Sequence, residues 1–471
     1  MQVAIQDRAL DRLRDRFGGE VVRPHDHDYD QARRVHNGLI DRRPALVVRP
    51  CDVDDVVVAV EFARSADLPI AIRGGGHSVA GHGTCDGGLV VDLSAMRAVR
   101  VDPDARRAHV QGGALLGDVD RATQEFGLAT PTGQVSATGI AGLTLSGGLG
   151  AMQRKYGLTC DNLVSAQVVT GTGEVVTASD SKHRELFWAL RGGGGNFGVV
   201  TSFEFRLHPV GPMVAGGLVA YPVEQAVDVL RFLDGFIATA PEELSADAIF
   251  QFAPPLEVIP EHLRGERLIG LFIRYIGDPD DGLQAVRPIQ AFGEPVLDFV
   301  GPLPYLAVQS MLDPLNPKGY LNYWTGEYVP ELDAAAAEAL ARHGAELPAP
   351  QSIVQVIPFN AAPTRVAKDA TAFAHREDSW LVHYLGQWVD PAGTDRCRSW
   401  ARSCGADLRA LGGGSGDVYL NLVTDEEDTD RVRAFWDERR LARLAAVKSR
   451  YDPDNRFRFN HNIEPAGVMA Q

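Results

Sequence analysis

Arg73-Gly74-Gly75-Gly76-His77-Ser78-Val79-Ala80-Gly81-His82-Gly83 lies between two short apolar runs, Leu68-Pro69-Ile70-Ala71-Ile72 and Gly88-Leu89-Val90-Val91-Asp92-Leu93. Both runs read as strands bounded by turn residues. Three consecutive glycines reach backbone angles that a Cβ forbids, so the intervening turn can bring main-chain N–H groups against phosphates. Gly74, Gly75, Gly76 and Ser78 are the candidates for that anion nest. His77 puts a nucleophilic imidazole at the end of the same turn. The arrangement suits covalent capture of a flavin.

Outward from this loop, residues 53–63 have helical spacing behind an acidic start, as a helix N-terminus favours. Residues 166–170, 173–177 and 199–207 read as strands, the first two joined as a hairpin through Gly171-Thr172-Gly173. After His208-Pro209 proline becomes frequent and glycine clusters thin out. Helices are expected over 223–240 and 330–343, and strands over 351–359 and 380–388. The expected class is α+β with two domains. Residues 1–208 form the cofactor-binding part, residues 209–425 a substrate domain with an antiparallel sheet covered by helices, and residues 426–471 return to the first domain. An amphipathic helix is expected near the N-terminus, through Arg16, and another over 429–450.

The chain has 471 residues and a formal net charge of -16. Such a balance argues against nucleic-acid or anionic-membrane partners, which basic patches attract. No stretch approaches the roughly 20 apolar residues of a membrane span. Five scattered cysteines without a CxxC pair favour a reduced, cytoplasmic setting.

Four blocks carry a specific resemblance: the 73–83 loop, residues 138–150, residues 154–163, and the C-terminal Tyr451-Asp452-Pro453-Asp454-Asn455-Arg456-Phe457-Arg458-Phe459-Asn460-His461-Asn462-Ile463. In these the chain resembles the berberine bridge enzyme-like flavin oxidases, of the vanillyl-alcohol oxidase fold superfamily, and especially their bacterial members. The resemblance implies FAD joined by its 8α-methyl carbon to His77, a link that would raise the flavin's reduction potential. It also implies a cofactor surface made by Arg73, Gly81, Thr138, Gly139, Gly142, Leu143, Gly147, Gly148, Tyr156, Gly157, Asp161, Asn162 and Val200, with Asn460 and Asn462 at the ring's polar edge. Val135 stands where many plant members have a second, cysteinyl link, so one covalent bond is expected. Cys160 is read as a packed core thiol. Ile140 falls where family members control oxygen access, which leaves oxidase and dehydrogenase both open.

Tyr419 and Asn421 match the family's Tyr-x-Asn, in which the tyrosine deprotonates substrate near the flavin. Read as a strand, Asp417-Val418-Tyr419-Leu420-Asn421-Leu422 puts both side chains on one face. A free phenol titrates near pH 10, so a base at neutral pH needs donors or a cation beside it. Candidate substrate contacts are Tyr323, Trp324, Gln355, Phe359 and His375. On a strand, Gln355 shares a face with Ile353 and Ile357 but not with Val354.

Gly193-Gly194-Gly195-Asn196-Phe197-Gly198 fits G-x-G-x-x-G, but a helix-like run precedes it and a strand follows, the reverse of the dinucleotide fingerprint. A structural role is expected there. His25-Asp26-His27-Asp28 is read as a solvated turn, and no metal is expected. The implied activity is oxidation of a small alcohol, phenol, amine or natural-product intermediate, with O2 returning as hydrogen peroxide, by a monomer or homodimer. A dehydrogenase, a flavin-oxygenating enzyme and a non-catalytic flavin- or drug-binding protein are the alternatives.

Overall fold

The computed structural model describes residues 7–411, 418–424 and 429–467. The first sheet runs in the order Glu20–Val22, Leu46–Arg49, Leu89–Asp92, Ile70–Arg73, its last three strands parallel. Both of its faces are buried. Leu46, Val48, Leu89, Val91 and Ile70 pack under the helix Val53–Ser65, while Val47, Val90 and Ala71 face Tyr29 and Cys85. The helix begins at Asp52, whose side chain accepts from the Asp55 amide at 2.9 Å. That cap and the acidic first turn satisfy the N-terminal donors.

A second, five-stranded antiparallel sheet contains the expected hairpin, Leu163–Val169 with Val175–Ser179. Past the short His208–Pro209 strand the chain enters an eight-stranded sheet whose pairings are all antiparallel. Helices Ala226–Thr239, Ala334–Ala345 and Thr394–Ala410 cover one face of it through Val354, Val356, Val382 and Tyr384. The alternate residues Ile249, Trp324, Ile353 and Leu385 cluster on the other face with Val79. Helix Asp437–Tyr451 sends Leu444, Val447 and Tyr451 into the cluster that also holds Leu186 and Phe187. Among the described residues, no helix is long and apolar enough to cross a membrane.

Three expectations are corrected. The segment at Tyr419 is not a strand: Leu420–Leu422 is a single 3-10 turn, and Asp417 lies outside the described residues. The helix expected over 429–450 is two, Thr429–Phe435 and Asp437–Tyr451, separated at Trp436. The first described helix ends at Arg14 rather than Arg16.

Candidate functional site

The strand Ile70–Arg73 delivers the glycine loop to one end of an elongated cleft holding about 1780 Å³ of empty space, counting its open mouth. Gly74, Gly75, Gly76, His77 and Ser78 line it. So do Thr138 and Gly139 from a second loop and Gly142 and Leu143 from the helix Ile140–Leu145 that follows it, pinned by Leu116 N–H to Thr138 O at 2.9 Å and Ile140 N–H to Ala114 O at 3.0 Å. The two loops touch backbone to backbone, and a Cβ on Gly75 or Gly139 would run into the main-chain nitrogen of the other. Glycine is required here for that approach as well as for ligand access. Arg73 lines the cleft yet also braces its own loop, donating to Ala32 O at 2.6 Å and Gly83 O at 3.1 Å. Gly81 shapes the turn at φ +75 without lining the cleft, as Gly83 does.

His77 stacks on His36 with ring centroids 3.8 Å apart and lies 6.4 Å from the Trp324 ring. Its Nε2 is buried with no hydrogen-bond partner among the described residues. Burial, and secondly the neighbouring His36, push its pKa down to about 3, so the imidazole is neutral with its lone pair available. Asn37 ties this loop to the large sheet, donating to Val79 O at 2.7 Å and Asn322 O at 2.9 Å.

The Tyr419 phenol is buried and accepts hydrogen bonds from Asn421 Nδ2 at 2.9 Å and the Gly148 amide at 3.0 Å. The 3-10 turn achieves what alternation was expected to do, bringing the two side chains together. Burial raises the phenol's pKa to about 12, against the lowering by Asn421 and then Gly148. Gly148 holds φ +92, and a Cβ there would strike Thr159 Oγ1, so the donor's geometry depends on glycine. Gly148 therefore supports Tyr419, and neither Gly147 nor Gly148 lines the cleft.

Val200 and Asn460 line the cleft, and Asn460 Oδ1 is another buried polar atom lacking a partner among the described residues. Asn462 lines a separate depression. Tyr156, Gly157, Asp161 and Asn162 lie off the cleft, each engaged elsewhere. Tyr156 stacks on His208 at 3.9 Å, Asp161 pairs with Arg376 at 2.8 Å, Gly157 turns at φ +80, and Asn162 donates to Tyr156 O at 2.9 Å. Of the substrate candidates, Trp324 and Gln355 line the cleft. Tyr323, one residue along the strand from Trp324, takes the opposite face and accepts from Arg402 at 3.2 Å. Phe359 and His375 pack with Tyr328, His375 reaching Ser379 Oγ at 2.8 Å. Ile140 faces the core, and its neighbour Ala141 lines the cleft instead. Val135 lines it; Cys160 does not, and burial lifts the Cys160 thiol's pKa well above the ordinary value.

Gly194, Gly195 and Gly198 also line the cleft, which corrects the purely structural role expected for that loop. The loop is held from behind by Lys448, fully buried, whose Nζ donates to Asn196 O and Phe457 O at 2.9 Å and to Asp452 at 2.7 Å. Gln134 and His383 line it as well. Their signal in the sequence is only their place on a loop and a strand next to motif residues. His25-Asp26-His27-Asp28 forms the turn before Tyr29–Ala32, closed by Asp26 accepting from the Arg23 amide at 2.8 Å.

The cleft fits a flavin dinucleotide on the structure's own terms. A glycine-walled end offers main-chain donors, Ile70, Ile72, Leu93 and Val200 supply apolar walls, and His77 Nε2 and Asn460 Oδ1 are left for a ligand. Residues 44–179 match the family described as FAD binding domain, and residues 418–464 the one described as berberine and berberine like. An FAD-linked oxidoreductase of Dictyostelium discoideum is 30% identical over 454 residues, 95% of this chain and 95% of that protein. (R)-6-hydroxynicotine oxidase of Paenarthrobacter nicotinovorans is 32% identical over 459 residues, 95% of this chain and 97% of that protein. The crystal structure of 6-hydroxy-D-nicotine oxidase from Arthrobacter nicotinovorans matches with a TM-score of 0.85 at 30% identity, covering 95% of this chain and 98% of that one.

Proposed function

The chain belongs to the berberine bridge enzyme-like FAD-linked oxidoreductases, and on that premise we propose that it is an oxidase whose FAD is bonded to His77 and whose base is Tyr419. The observation that carries the reading is the buried Nε2 of a neutral His77, without a partner among the described residues, at the glycine-walled end of the cleft that Tyr419 also lines. When bound there, FAD would supply the two-electron acceptor for oxidation of a small organic substrate, with O2 as final oxidant and hydrogen peroxide as product.

The chain's own residues do the rest. Arg73, Gly74, Gly75, Gly76 and Ser78 hold the cofactor from one loop, Thr138 and Gly139 from the other and Gly142 and Leu143 from the helix after it, with Val200 and Asn460. Tyr419 takes the proton from the substrate's hydroxyl or amine, and Asn421 and the Gly148 amide stabilise the phenolate that does so. Trp324 and Gln355 contact the substrate. Residues 1–208 and 426–471 make the flavin-holding unit and residues 209–425 the substrate-holding one. All five cysteines are free, which supports a reducing, cytoplasmic setting for a monomer or homodimer.

The test is acid precipitation of the purified protein followed by mass spectrometry of its peptides. Flavin should remain on the peptide containing His77 and be lost in His77→Ala. Release of all the pigment by acid from the unaltered protein refutes the attachment. Tyr419→Phe should keep the bound flavin but bleach far more slowly with substrate under nitrogen.

A further inference from the structure

One polar cluster at the cleft is used by neither the cofactor surface nor the base. Asp247 and Arg274 stand on the neighbouring strands Leu244–Phe252 and Arg267–Tyr275 and pair directly, both buried. Neither lines the cleft, but Gln134 and Gln355 do. Asp247 Oδ2 accepts from Gln134 Nε2 at 2.6 Å and from Gln355 Nε2 at 3.2 Å, and Gln355 Nε2 also donates to Gln134 Oε1 at 2.7 Å.

A carboxylate paired with arginine can only accept, so it draws the nitrogen end of each amide toward itself. An amide is pseudo-symmetric, and nothing in its own shape chooses which end faces outward. Here the choice is made from behind. The Gln355 nitrogen is committed to Asp247 and Gln134, which leaves its carbonyl oxygen as the group the cleft meets. Across the strand pair, Gln355 stands opposite His383, and His383 opposite Gly326, which contributes no side chain to fill the space. His383 is 2% exposed, lines the cleft, and has no partner for Nε2 among the described residues. Burial holds it neutral, its pKa pushed down to about 3.

We propose that the Asp247–Arg274 pair is a positioning device that turns Gln355 oxygen-outward, so that this wall, with His383, selects a substrate bearing a hydroxyl. A hydroxyl donates to the amide oxygen and exchanges a second hydrogen bond with the imidazole. A methyl ether has no hydrogen to give and leaves the buried acceptor unpaired. A carboxylate meets the same oxygen with no cation on this wall, because Arg274 sits behind it engaged with Asp247. The inference rests on the substrate lying beside the flavin in this cleft.

The experiment uses the flavin-loaded protein under nitrogen, titrated with phenol and with anisole while the visible flavin band is followed. The unaltered protein should bind phenol at least about tenfold more tightly than anisole, the usual scale of one buried hydrogen bond. Gln355→Leu removes the acceptor while leaving the ion pair intact. The double variant Asp247→Leu, Arg274→Met removes the acceptor that orients the two amides, freeing them to turn without stranding a buried charge. Both should lose the preference while keeping anisole affinity, whereas a merely structural defect would weaken the two probes alike. A phenol preference that persists in either variant, or its absence in the unaltered protein, overturns this proposal alone. Failure of both probes to move the flavin band overturns the placement of substrate beside the cofactor, and this proposal with it.

Discussion

Asn421→Leu isolates the support of the proposed base, Tyr419, from the base itself. Asn421 Nδ2 supplies one hydrogen bond to the Tyr419 oxygen, and the Gly148 amide supplies another. A hydrogen bond to a charged group contributes about 1.5–3 kcal/mol. At 1.36 kcal/mol per unit, its loss raises the phenol's pKa by about 1–2 units beyond the value near 12 that burial already imposes. Below that pKa the phenolate population falls by the same factor, about 10–100-fold at any fixed pH. The rate of flavin bleaching by substrate under nitrogen should fall accordingly and keep rising with pH about tenfold per unit, as for a base present only in minor amount. Stopped-flow absorbance from about pH 6 to 9, on a substrate found by screening alcohols, phenols and amines, reads both slope and offset. Tyr419→Phe should abolish the slope. Equal rates in Asn421→Leu and the unaltered protein, or a flat profile in the latter, would refute the assignment of Tyr419 as base.

Two further outcomes follow from burial. His36 and His383 have pKa values lowered to about 4 and about 3, chiefly by burial, against about 6.5 unfolded. Their contribution to stability is complete above pH 6.5 and is lost as pH falls toward the folded values. At about pH 5.5 each should cost about 1.4 kcal/mol relative to about pH 8, together about 3. Urea melts at the two pH values measure this, and a decline equally steep in His36→Gln, His383→Gln would sink it. Ile140→Val, in the core and not in the cleft, should cost about 0.5–1.5 kcal/mol and leave peroxide formation unchanged. A faster oxidase half-reaction in that variant would restore Ile140 as the oxygen gate.

Much of the architecture is local and therefore visible in the chain. The glycine loop between two apolar runs, the Asp-capped helix at 53 and the hairpin around Gly171–Gly173 are each specified by residues a few positions apart. Period-2 alternation sorted Gln355 from Val354, because a strand leaves only two faces to choose between. The same rule misled at Tyr419, where a 3-10 turn brought the pair together by another route.

What the sequence determined by itself is the chemical inventory at the cleft: a nucleophilic imidazole in a glycine turn, a Tyr-x-Asn pair and a C-terminal asparagine. Tertiary structure decided which polar groups remain available. Asp161 and Asn162 are consumed by Arg376 and their own turn, the Gly194–Gly198 loop is pressed against the cleft by buried Lys448, and Gln355 is turned by an ion pair behind it. Apart from the Asn162 turn, those outcomes depend on partners a hundred or more residues away, and hydrogen-bond capacity is settled only when every donor and acceptor in contact has been counted.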